Sequence, residues 1–195
     1  MRDHHRPMTP GAGFFDEIDA GDDPAMLQEA ADRAATLLVR GARGSADADV
    51  ADRVLHLAET EGLETLAELW AGSPADSLAG SLWRLYLIRA WVYADPAGVA
   101  AQFEAGRAQA QVARVVAGVA DPPGPDELRA MVDDVLRGIT AGDFADVLLR
   151  ASAFARVVTT GRASLDAGHD ETVRLLTLAE QLESAAHLEM RRELA

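Results

Sequence analysis

The chain predicts an all-α fold, and three observations carry that prediction. Apolar residues make up 49 % of the 195 positions while aromatics make up only 5 %, so the core must be aliphatic and alanine-rich. Alanine is the best helix former, with Leu, Arg and Glu close behind. The valines are scattered, without the two-residue alternation of strands. Capping residues and glycines punctuate the chain at helix-length intervals. The expected architecture is a compact bundle of about eight helices packed around a central apolar helix near 75–94. A flexible tail at 1–22 precedes a single helical domain at 23–195.

The tail, MRDHHRPMTPGAG, is rich in Pro, Gly and His and has no period. It runs into FFDEIDAGDD, where Phe14, Phe15 and Ile18 stand among acids. Such a segment cannot build a core alone. Its three large apolar residues suit docking on this chain or on a partner.

Helices follow from their ends. Asp23-Pro24, Ser73-Pro74 and Asp95-Pro96 each set a capping side chain before a proline at a first helical position. Gly124-Pro125 is followed by Asp126 and Glu127, acids placed at the positive end of the helix dipole. Asp143 and Asp170-Glu171 mark two later starts, and Gly41, Gly72, Gly142 and Gly161 read as stops. The spans are 24–40, 47–61, 63–71, 75–94, 96–119, 125–140, 143–160 and 170–192. Most are amphipathic. Phe144, Val147, Leu148, Ala151, Phe154, Ala155 and Val158 share one stripe, as do Leu128, Val132, Val135, Leu136 and Ile139. The tetrapeptide ARVV at 113–116 recurs at 155–158, a spacing that suits a helical hairpin.

The stretch SLWRLYLIRAWVYAD, Ser81–Asp95, is unlike the rest. It holds two of the three tryptophans and both tyrosines. On a helical wheel of about 100° per residue, Leu78, Leu82, Leu85 and Val92 form one stripe, flanked by Tyr86 and Tyr93. Trp83, Leu87, Trp91 and Ala94 cover the opposite side. No polar face remains, the pattern of a central, buried helix. A seam of small residues on the next helix, Gly106, Ala110, Ala113 and Ala117, is expected to meet it closely.

Arg84 and Arg89 interrupt this apolar surface. An unpaired buried guanidinium costs several kcal/mol, on the order of 3 or more, so each needs an explanation. In one reading they snorkel, or pair with an acid while stacking on an aromatic ring. In a second they form an anion site in a crevice walled by Trp83, Tyr86, Trp91 and Tyr93. In a third, one side of the helix is left open to another subunit, since Trp, Tyr and Arg dominate interface hot spots.

The net charge is −14, from 32 acids and 18 bases, every base an arginine. This balance argues against nucleic acid, where phosphate neutralisation dominates affinity. Many acids serve helix starts, so the charge does not by itself advertise a cationic partner. The chain has no cysteine and no lysine, which excludes disulfides, thiolate sites, Schiff bases and a phosphate-loop lysine. Met1–Gly13 lacks the apolar run of a secretory signal, and no stretch approaches the roughly 20 apolar residues of a membrane span. A cytoplasmic location is expected.

Other site patterns do not assemble. His56 with Glu59, and Glu183 with His187, have one-face spacing, yet each pair sits on a charged helical face. His4-His5 has no third ligand nearby. Gly41-Ala42-Arg43-Gly44-Ser45 follows a helix rather than a strand and reads as a connector. Glu59, Glu61, Glu64 and Glu68 spread over different faces of two helices. No metal, cofactor or catalytic residue is expected. The run LWRLYLIRAW, with VVAGVADPPGPDEL, resembles small all-helical proteins of unknown function from high-GC actinobacterial genomes. The resemblance spans about residues 50–162. It implies a cytoplasmic helical domain and carries no site residue. The functional expectation is a non-enzymatic protein working through protein–protein contacts, including a second copy of itself. The alternative is an anion-binding regulatory domain using Arg84 or Arg89.

Overall fold

A computed structural model describes residues 24–41, 63–107, 124–130, 133 and 143–195. The described residues form helices and turns, with no strand among them. The helices are α1 (Pro24–Arg40), α2 (Leu63–Trp70), α3 (Leu78–Ala94), α4 (Pro96–Arg107), α5 (Phe144–Ser164) and α6 (His169–Met190), with a further helical stretch at 125–130. Phe14, Phe15 and Ile18, the helix expected at 47–61, the seam residues Ala110, Ala113 and Ala117, and His4, His5 and His56 lie outside the described residues.

Two predicted ends move. The helix expected to start at 75 begins at Leu78, because Ser77 and not Ser73 supplies the cap: its Oγ accepts the Gly80 N–H at 3.0 Å. Pro74 lies in the preceding turn, where its carbonyl accepts from the Ser77 backbone N–H and hydroxyl. The helix expected to stop near Gly161 runs on to Ser164. Gly161 ends nothing because it is a crossing point. A Cβ there would stand 1.7 Å from the Gln102 carbonyl oxygen of α4. On the other side, a Cβ on Gly106 would stand 2.0 Å from the Val157 carbonyl oxygen. The two bare backbones let α4 and α5 touch, a small-residue contact that a β-carbon on either strand of the crossing abolishes. This corrects the expected partner of Gly106, which packs on α5 rather than on the aromatic helix.

The core follows from the stripe on α5. Fourteen of its 21 residues are buried, among them Phe144, Val147, Leu148, Phe154 and Val158. Phe154 stacks on Phe103 of α4 with centroids 5.7 Å apart. On the far side α6 lies along α5, and the Ser152 hydroxyl donates to the Ala179 carbonyl at 2.8 Å. This satisfies a buried hydroxyl that would otherwise be costly. α1 and α2 cover another side of α3. The indole Nε1 of the fully buried Trp70 donates to the Ala31 carbonyl at 3.2 Å. At one end Arg40 of α1 pairs with Glu189 of α6, and Leu194 folds into the core while the Ala195 carbonyl oxygen accepts the Leu78 N–H at 2.6 Å.

α3 touches each of the other five helices, but its burial is one-sided. Leu82, Leu85, Ile88 and Val92 are buried with Leu78–Ser81. Trp83, Tyr86, Leu87, Ala90 and Trp91 are only partly covered, and Tyr93 is 38 % exposed. The wheel has no polar face, yet burial is complete on one side of the helix and partial on the other.

Candidate binding surface on the aromatic helix

The partly covered side of α3 has two shoulders. On the first, Trp83 and Tyr86, three residues apart and so on one helix face, stack with centroids 5.6 Å apart and planes 24° apart. Beyond them Tyr93 meets a charged cluster. Its hydroxyl donates to the Asp133 carboxylate at 2.6 Å, and Arg89 Nε donates to the same carboxylate at 3.1 Å. The Arg89 guanidinium lies 4.3 Å from the centre of the Tyr93 ring, a cation–π geometry. The hydrogen bond to Asp133 favours the neutral phenol and raises the Tyr93 pKa, an effect opposed by the nearby Arg89 cation.

Arg84 leaves the apolar surface on the second shoulder. Its Nε donates to the Gln181 side-chain oxygen at 2.6 Å and its Nη1 to the Gly80 carbonyl at 2.7 Å. Burial lowers its pKa, while the charge of Asp76 opposes that shift. Arginine stays cationic regardless. Both arginines therefore have protein partners: an amide and a carbonyl for Arg84, a carboxylate and a phenol ring for Arg89.

The second shoulder borders a crevice of about 310 Å³ lined by Leu87, Ile88 and Trp91 of α3, Arg162 of α5, and Glu171, Arg174, Leu175 and Leu178 of α6. Of the aromatic residues singled out in the sequence it takes Trp91 alone, and neither Arg84 nor Arg89 lines it. Its buried cation is Arg162, whose side chain is 8 % exposed. Nη1 donates to the Gln102 side-chain oxygen at 3.2 Å. Nη2 donates to the Ala167 carbonyl at 2.7 Å and to Glu171 at 2.6 Å. Nε has no hydrogen-bond partner among the described residues. Sequence reasoning missed Arg162 because it took Gly161 for a stop. Continuing the helix places Arg162 in the i, i+3, i+7 row of Ala155 and Val158, and that row was the available signal.

A second cleft of about 680 Å³ lies between Arg40, Asp143, Glu189, Arg192 and Leu194. Three of its charges are already engaged: Arg40 with Glu189, and Asp143 as the cap of α5, accepting the Ala145 N–H at 3.0 Å. Glu183, one half of a His-acid pair in the sequence, is held by Arg156. Among the described residues no group of three or more His, Cys, Asp or Glu could hold a metal ion, and no helix is long and apolar enough to cross a membrane.

No protein-family model matches the chain, and searches of curated proteins and of solved structures return no match. The functional reading therefore rests on the residues themselves. α3 carries no acid over its 17 residues, in a chain with 32. It offers an aromatic, partly uncovered face to which the helix contributes no acid, with Asp133 paired to Arg89 at its edge.

Proposed function

We propose that the chain is a cytoplasmic, non-enzymatic helical protein that works through protein–protein contacts, with α3 as the hub of its bundle and the outer face of α3 as the place where two copies meet. The observation that carries this reading is the stacked, partly exposed Trp83–Tyr86 pair on an acid-free helix. Tryptophan and tyrosine bring large contact area at low conformational cost, and they dominate interface hot spots with arginine. Two chains of net charge −14 repel one another over most of their surfaces. α3 itself adds no carboxylate to this face, and the one at its edge, Asp133, is paired with Arg89, so the repulsion is least around Trp83 and Tyr86.

Size-exclusion chromatography with light scattering tests the reading on the full chain at tens of micromolar. The expected mass is about 41 kDa, twice the 20.7 kDa of one chain. Trp83→Glu places a carboxylate on the face and is expected to return the single-chain mass with unchanged far-UV circular dichroism. A wild-type chain that runs as a monomer at that concentration overturns the two-copy contact.

A further inference from the structure

We propose that the crevice between α3, the end of α5 and the first half of α6 binds a small molecule with an apolar body and a single carboxylate. Leu87, Ile88, Trp91, Leu175 and Leu178 supply an apolar wall on two helices, which suits a hydrocarbon or ring rather than a sugar or nucleotide. Among the described residues the polar end of the crevice is cationic in the balance, with Arg162 and Arg174 against Glu171.

Arg162 gives the site its selectivity. Its guanidinium is more than nine-tenths buried and is always charged. Among the described residues its carboxylate partner is Glu171, whose side chain is 73 % exposed. A buried cation is thus balanced by an acid that already stands mostly in water, and its Nε–H finds no acceptor among the described residues. A ligand carboxylate arriving along the apolar wall takes the place of Glu171 on the guanidinium, where a planar anion is accepted by two donors at once. Glu171 then turns outward to Arg174, three residues along the same helix face. Among the described charges of the crevice, each then has a partner: the ligand on Arg162 and Glu171 on Arg174.

This site borders the second shoulder of α3, whereas the two-copy contact is centred on Trp83 and Tyr86 of the first, and the experiment keeps the two apart. Octanoate is titrated into ¹⁵N-labelled full chain, with octanol as its uncharged twin, in the wild-type background and in Trp83→Glu. The readout is the Trp91 indole N–H resonance, assigned with Trp91→Phe among the three tryptophans. A saturable shift with octanoate is expected, with a dissociation constant of about 1 mM or tighter, and octanol binding is expected to be weaker by roughly tenfold. Glu171→Gln removes the acid that the ligand must displace and is expected to tighten octanoate binding roughly threefold. Arg174→Gln, at an exposed position, is expected to weaken it by a similar factor. Equal binding of octanoate and octanol overturns the carboxylate assignment. An unmoved Trp91 resonance in both the wild type and Glu171→Gln overturns the site.

Discussion

At the scale of single residues, Arg84, Arg89 and Gly161 set how α3, α4 and α5 meet their neighbours. Arg84 and Arg89 stand out in the sequence because they break an apolar surface, and the chemistry demands a partner for each. Those partners, Gln181 and Asp133, lie 97 and 44 residues away, a separation that no local pattern reports. Gly161 shows the reverse error. A glycine after a helical run reads as a terminator, and only the neighbouring helix reveals it as a contact point. Its replacement is therefore severe. In Gly161→Ala the new methyl falls 1.7 Å from the Gln102 carbonyl oxygen and 2.9 Å from the Gly106 backbone nitrogen. These are backbone atoms, so no side chain can turn away, and α4 must separate from α5. The expected loss is about 3 kcal/mol, the upper end of overpacking costs, measured as a fall in the urea midpoint with an unchanged slope. A substitution at an ordinary helix C-terminus would cost far less, so a change below about 1 kcal/mol would place Gly161 in that class instead.

At the scale of elements, helix type and approximate extent were legible, and ends were legible where the cap was unambiguous. Asp143 caps α5 as its position suggested. Before α3 two serines compete, each able to precede a helix. The turn through Pro74 decides between them, because the chain cannot enter helix until Ser77. Ser77 has the extended backbone of a cap, with φ −116° and ψ 160°. Ser77→Ala leaves the Gly80 N–H without its acceptor and is expected to destabilise the fold by about 1 kcal/mol, read by thermal or urea unfolding. The same periodic argument fails at the open side of α3. A wheel that is apolar all round says that every side can be buried, not which side is. That choice depends on where α1, α2 and α6 lie, and so the crevice beside Trp91 could not be read from the helix alone.

At the scale of the whole molecule, charge decides how two copies behave. The composition gives the net charge of −14, and local use explains part of it: Asp143 at a cap, Asp170 and Glu171 in the first turn of α6. Those acids still repel an approaching copy, wherever they sit. The aromatic helix is legible in the sequence, but only its one-sided burial turns the Trp83–Tyr86 surface, to which α3 adds no acid, into a window in this field. A contact made there has a definite salt dependence. Raising ionic strength from about 0.01 M to about 0.1 M shortens the Debye length from about 30 Å to about 10 Å. Repulsion between the acid-rich surfaces flanking the contact then fades, while the stacking and apolar burial at Trp83 and Tyr86 are little affected. The two-copy dissociation constant, measured by sedimentation equilibrium, is therefore expected to fall as salt rises over that range. An interface held by arginine–carboxylate pairs across the two copies has the opposite slope, because salt screens its attraction. A dissociation constant that rises with salt would move the contact away from the Trp83 face and onto the charged helices.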